Sequence, residues 1–229
     1  MRYYPIYLDV QNRHCLVVGG GAVGVRKVLT LLECSAAVTV VSPVVHEKLQ
    51  ALSNKGKIAL EMRTFQPSDI KGIFLVIGAT DNQVLNQQIH TEAERLGILC
   101  NIADQPDACN FILPSIVNKG DLVIAISTSG KSPAFAKKLR QDFEKQFGSE
   151  YADFLKLMGA IRKKLLAQNH EPEVHKPLFE QLITRGLVEM VKDRKNSDIN
   201  LLLHELLGEG YIFEELMPTE NDKPSQKYI

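Results

Sequence analysis

The sequence predicts an α/β protein: a parallel sheet covered on both faces by helices, then a β-arm with a helix, then a small helical domain. Three observations carry this. Short apolar runs alternate with helically spaced segments over the first hundred residues. The stretch "CLVVGGGAVGV" at residues 15–25 joins a strand pattern to a helix pattern through three successive glycines. From residue 151 onward every periodic segment is helical.

Taken in order, "CLVV" is a buried strand that stops at glycine. Residues 22–33 place Val25, Val28, Leu29 and Leu32 on one helical side. The β-branched run at 37–41 reads as a strand, 44–55 as a helix and "KIALEMR" as a strand. Residues 73–80, "IFLVIGAT", form a fully apolar strand. A helix over 82–96 and a strand over 98–102 follow. Continuous apolar strands separated by helices mean parallel pairing with both faces covered. After Asp104 the pattern changes. Two strand-like runs flank the turn signal "NKGD" within 110–130, which predicts a hairpin or arm. The next helix has Ser132 as N-cap, Pro133 at its first position and Gly148 as its stop. Helices are expected over 151–168, 174–184 and 198–207, and the polar end 218–229 reads as a disordered tail. The expected organisation is therefore 1–113 for the sheet domain, 114–148 for the arm and helix, 149–217 for the helical domain, and 218–229 for the tail.

Bulk composition excludes several classes. The 229 residues are 45% hydrophobic and 24% charged, as in globular proteins. Formal net charge is zero, so no global field favours nucleic acid or a membrane surface. No run has the length of a transmembrane helix and the N-terminus lacks a signal-peptide pattern, so the cytoplasm is the expected home. Cys15, Cys34, Cys100 and Cys109 have no CxxC spacing, and no histidine is placed to complete a zinc finger with them. They read as structural, and no resident metal is expected.

Gly19, Gly21 and Gly24 form GxGxxG between a strand and a helix, the setting that gives this short pattern meaning. Gly19 permits the tight turn, Gly21 the approach of a pyrophosphate, and Gly24 close packing of helix on strand. The helix N-terminus offers N–H groups to the anion. Hence the first domain is Rossmann-like and binds a dinucleotide, with Ala22 and Val23 beside the phosphates. The acid that usually closes the second strand is missing; Ser42 stands there, followed by Pro43 and Val44. Ser42 can bond a ribose hydroxyl without repelling a 2′-phosphate, and no adjacent arginine clamps one. The residues alone leave NAD and NADP open. Gly78, Ala79 and Thr80 end another strand at the same carboxyl edge and are small enough for a cofactor to lie over them, with Asp81 or Asn82 capping the next helix.

Asp104 follows the next parallel strand, where it would face the cofactor crevice; Asp107 fits a turn better. The stretch "ISTSGKSP" leads hydroxyls, a glycine and a lysine into a helix N-terminus, an anion-binding arrangement. Between residues 115 and 145, Lys119, Lys131, Lys137, Lys138, Arg140 and Lys145 outnumber Asp121, Asp142 and Glu144. A solvated basic helix face accounts for most of these lysines.

The segments "YPIYLDVQNRHCLVVGGGAVGVRK", "GATDN", "CNIADQPDACNFILPSIV" and "GDLVIAISTSGKSPAFAKKLR" together resemble the precorrin-2 dehydrogenase and sirohydrochlorin ferrochelatase family, which includes the N-terminal half of bacterial siroheme synthase. The resemblance covers roughly residues 1–145; the helical remainder matches only in general character. It implies oxidation of precorrin-2, a tetrapyrrole with eight carboxylates, to sirohydrochlorin, with NAD taking the hydride. In bifunctional members the same crevice inserts ferrous iron, which is then a substrate. The resemblance places the catalytic aspartate at Asp104, as general base. It implies substrate contacts at Asn101, Ser127, Thr128, Ser129, Gly130, Lys131 and Ser132, and a homodimer built on the arm and its helix. The methyltransferase that continues siroheme synthase has no counterpart within these residues. Two other functions share the glycine loop: a nicotinamide-dependent dehydrogenase of another substrate, and a nucleotide-sensing module without turnover. The first would not share "NIADQP" followed by "ISTSGKSP", and the second predicts NAD binding without turnover.

Overall fold

The structure, a computed structural model, describes residues 2–168 and 172–218. It divides into two units. The first takes the chain to Leu113 together with Ser129–Lys131; the second takes Pro114–Thr128 and the chain from Ser132.

In the first unit β1 (His14–Gly20), α1 (Ala22–Glu33), β2 (Ala37–Val45), α2 (Glu47–Asn54), β3 (Ala59–Glu61), β4 (Leu75–Gly78), α3 (Gln83–Leu96) and β5 (Leu99–Ile102) follow in sequence. The strands form one parallel sheet ordered β3-β2-β1-β4-β5. β1 lies at its centre, with Val17 opposite Val40 on one side and Ile77 on the other. Successive side chains of a strand point to opposite faces, and the core divides accordingly. Cys15 and Val17 pack with Val25, Val28 and Leu31 of α1, whereas Leu16 and Val18 pack with Ile89 and Ala93 of α3. Apolar-throughout strands thus serve two cores, as a Rossmann-like α/β sheet requires.

Boundaries shift where local bonding wins over hydrophobic period. β2 runs on to Val45 because, after an irregularity at the glycine loop, Val45 pairs with Gly20. α2 therefore begins at Glu47, behind the capping His46, and not at residue 44. β3 is only three residues long. The chain beyond it is turned by Arg63, whose guanidinium forks onto both Asp69 oxygens at 2.8 Å. α3 starts at an Asn82 cap that accepts the Leu85 N–H at 3.0 Å, and stops at Gly97, whose φ of +66° suits glycine.

The second unit opens with an antiparallel pair, β6 (Ser115–Lys119) and β7 (Leu122–Ile126), turned at Gly120 with φ +66°. α4 (Pro133–Gln146) packs on this pair. Then come α5 (Glu150–Ala167), α6 (Pro172–Thr184), α7 (Leu187–Lys192), α8 (Asn196–Leu207) and α9 (Phe213–Leu216). Leu157, Ile161, Leu182, Leu187, Ile199 and Leu203 form the buried centre of this helical group. α7 and α9 escape the sequence reading because six and four residues are too few to show a period. The expected tail lies outside the described residues apart from Pro218. No helix among the described residues is long and apolar enough to cross a membrane.

Candidate active site

A cleft of about 800 Å³ opens at the carboxyl edge of the parallel sheet, lined by residues that follow β1, β2, β4 and β5. Its floor is the glycine loop, and each glycine has a separate cause. Gly19 has φ +117°, and a Cβ there would lie 2.3 Å from the Ala79 carbonyl oxygen. A Cβ on Gly20 would lie 2.3 Å from the Val44 oxygen, and one on Gly24 2.1 Å from the Gly19 oxygen. These three let neighbouring backbones meet. Around Gly21 a Cβ would meet nothing within 4 Å. That position is kept small on the cleft side, where a ligand can approach the backbone. Gly21 also caps α1, and with no side chain or first-turn acid at that end, the leading N–H groups of α1 remain as donors for an anion. The donor set and the open backbone fit a dinucleotide pyrophosphate.

On the β2 side, Ser42 is buried and its hydroxyl donates to the Val44 carbonyl at 2.7 Å, so its proton is spent within the strand end. Pro43 and Val44 are exposed rim residues. His46 lines the same wall; its N–H donates to the Gly20 carbonyl at 2.8 Å, and its Nδ1 accepts the Lys48 N–H at 3.1 Å. On the β4 side the Ala79 N–H donates to the Val18 carbonyl at 2.7 Å. The Thr80 hydroxyl donates to Asn86 Oδ1 at 2.9 Å while the Asn86 amide donates back to the Thr80 carbonyl at 3.0 Å. This closed pair fixes the turn below the cleft.

Asp104 lines the far wall, with φ +60°, a conformation that few residues other than glycine, Asn and Asp adopt readily. The loop that carries it is clasped from behind. Asn110 accepts the Cys100 N–H at 2.8 Å and donates to the Ile98 carbonyl at 2.9 Å, standing in for a further strand. Asn101 donates to the Phe111 carbonyl at 3.1 Å. The Cys109 sulfur accepts the Ile102 N–H at 3.1 Å and lies 3.2 Å from the Gln105 carbonyl, which can accept its proton. Half-buried Lys27 stands one helical turn beyond Val23 on α1. Burial lowers its pKa, with Arg26 adding to the effect and the charges of Asp104 and Cys109 opposing it.

Of the residues expected at the cofactor, Gly19, Gly21, Ala22, Val23, Ser42, Pro43, Val44, Ala79 and Thr80 line one cleft together with Asp104. Gly24 and Gly78 stand behind it; a Cβ on Gly78 would lie 2.6 Å from Ile102 Cδ1. Asn101, expected at the substrate, is buried in the clasp. His46, Thr64, Phe65 and Leu85 also line the cleft and carry no sequence motif. Gly20 was legible only as part of the glycine run.

The loop from Ser127 to Ser132 leads into α4. Thr128 Oγ1 accepts the Ser132 N–H, and Ser132 Oγ accepts the Phe135 N–H, each at 3.2 Å. Ser129 and Gly130 have φ of +52° and +79°. Along α4, Lys138 pairs with Asp142 at 2.6 Å and Arg140 with Glu144, so part of the basic excess is balanced on the helix itself. Of the cysteines, Cys15 and Cys100 are buried, their thiols pushed up to about 11 and about 12 chiefly by burial; Cys34 is exposed.

Sheet order, glycine loop and cleft define a Rossmann-type binder of a nicotinamide dinucleotide, and an NAD(P)-binding family model matches residues 6–115. A second family model, sirohaem biosynthesis protein central, matches residues 119–146. The chain is 34% identical over 215 residues to the siroheme synthase of Nitrosococcus oceani, covering 94% of this chain and 46% of that protein. It is 37% identical over 195 residues to the siroheme synthase of Nitrosospira multiformis, covering 83% and 41%. Among solved structures, SirC, precorrin-2 dehydrogenase, is similar at a TM-score of 0.68 and 25% identity, over 83% of this chain and 100% of that one. Siroheme synthases are thus homologues of this chain, and its fold is that of a precorrin-2 dehydrogenase. It spans just under half the length of the siroheme synthases that it matches.

Proposed function

We propose that this protein oxidises precorrin-2 to sirohydrochlorin, with NAD as the hydride acceptor and Asp104 as the general base. The single observation that carries the reading is that Asp104 and the glycine loop line one cleft. Its likeness to siroheme synthases and to SirC, precorrin-2 dehydrogenase, supports the choice of substrate. NAD, when bound, takes a hydride from one carbon of the macrocycle. The protein's part is to hold the pyrophosphate on the α1 N–H groups and to receive the accompanying proton on the Asp104 carboxylate. NAD is preferred over NADP because no arginine or lysine lines the cleft to hold a 2′-phosphate. The hydroxyl-rich loop at Ser127, Thr128, Ser129, Gly130, Lys131 and Ser132 binds carboxylates of the tetrapyrrole, and Asn101 acts from behind by holding the Asp104 loop. Ferrous iron is a second substrate where the product is carried on to siroheme, with Asp104 taking pyrrole N–H protons.

The protein works as a cytoplasmic homodimer, with the segment 114–148 as its dimerisation element. Alternation along β6 and β7 supports this, since it leaves Ile116 and Val123 exposed on one face of the pair. Adding precorrin-2 and NAD and following NADH absorbance tests the activity. NAD binding without NADH formation would favour the sensing module instead.

A further inference from the structure

The end of β2 is where a Rossmann-type cleft ordinarily distinguishes its cofactors, by an acid on the ribose hydroxyls or a cation on the 2′-phosphate. Here neither is present. The carboxylates lining the cleft are Asp81 and Asp104, beyond β4 and β5, and the β2 wall carries none. The Ser42 hydroxyl donates to the Val44 carbonyl, which leaves its oxygen only as an acceptor. The side chain on that wall left to donate is His46, fixed at both ends. Its backbone N–H is tied to the Gly20 carbonyl of the glycine loop, and its Nδ1 accepts the Lys48 N–H as the cap of α2. A ring nitrogen that accepts carries no proton, so the neutral imidazole bears its hydrogen on Nε2. Nε2 makes no hydrogen bond to another described residue. The capping bond therefore makes the ring a donor to any ligand in the cleft.

We propose that His46 is the residue that reads the adenosine ribose of the dinucleotide, and that its donor-only imidazole admits the 2′-phosphorylated cofactor alongside the unphosphorylated one. This rests on the reading of the cleft as a dinucleotide site. A donor satisfies a ribose hydroxyl oxygen and a phosphate oxygen equally well. A carboxylate would accept from the first and repel the second. With one donor and no arginine clamp, the cleft favours NAD only modestly.

The test is direct binding of NAD and NADP to the full chain, by titration calorimetry, for wild type, His46→Asp and His46→Asn. Asp and Asn both retain an oxygen that can cap α2, and circular dichroism checks the fold of each. Wild type is expected to bind NADP within about tenfold of NAD, a difference of about 1.4 kcal/mol. His46→Asp is expected to widen that ratio at least tenfold against NADP. His46→Asn, of the same length as Asp but uncharged, is expected to weaken both cofactors without widening it. A wild type that binds NAD but not NADP at millimolar concentration overturns the proposal, as does an unchanged ratio in His46→Asp. A wild type that binds neither cofactor overturns the dinucleotide reading itself.

Discussion

The backbone N–H of Ile102, the last residue of β5, donates to the Cys109 sulfur at 3.1 Å, and this contact closes the loop that carries Asp104. A thiol spans that gap where a hydroxyl, with its shorter bond, reaches less far. Cys109→Ala leaves the Ile102 N–H without its partner, and a buried donor left unsatisfied costs about 1–3 kcal/mol. Urea unfolding should show a loss in that range. A variant as stable as wild type would mean that the thiol closes nothing.

The glycine loop separates folding from binding at adjacent positions. Gly20→Ala should destabilise the fold, because its Cβ would meet the Val44 carbonyl at 2.3 Å. Gly21→Val should fold normally, since that Cβ meets open space, yet weaken NAD binding at least tenfold by filling the pyrophosphate position. Thermal melts and NAD titrations on both variants check the contrast. Equal loss of stability in the two would contradict it.

For the assembly, Ile116→Asp and Val123→Lys place charge on the exposed face of the β6–β7 pair. Sedimentation should show wild type as a dimer at micromolar concentration and the double variant as a folded monomer. A wild-type monomer would remove the dimerisation role of residues 114–148.

Stability should fall in acid partly through Asp69. The Arg63 guanidinium holds its carboxyl below the usual range, first through the hydrogen bonds and then through charge, and the Gln66 N–H assists. A carboxyl whose pKa is lower folded than unfolded contributes stability above its unfolded value, near 3.9, that is lost as pH falls toward the folded one. Unfolding measured from pH 7 to pH 3 should therefore show a steeper acid loss for wild type than for Asp69→Asn. Parallel curves would mean that the fork adds nothing.

The sheet was legible because β1 and β4 are apolar along nearly their whole length and α1 and α3 each have one apolar side, so period and length agree there. The glycine loop was legible because turn, strand and helix signals coincide at residues 15–33. What lay outside the sequence depends on partners distant in the chain. Nothing near Asn110 announces that it completes the edge of β5, and nothing near Asn101 that its amide turns inward to the Phe111 carbonyl. His46 sits where a helix was expected to be already under way. Its place on the cleft wall follows from the pairing of Val45 with Gly20, which no local pattern encodes.

If Asp104 is the base of a precorrin-2 dehydrogenase, the rate of NADH formation by Asp104→Ala must fall. Losing a positioned base costs about a hundred- to ten-thousand-fold in rate, whereas losing a turn-forming aspartate costs about 1 kcal/mol of stability and leaves the folded fraction active. The variant is expected to fold, to bind NAD and to turn over precorrin-2 at least a hundredfold more slowly than wild type. A folded, NAD-binding variant that turns over within a few-fold of wild type would contradict it.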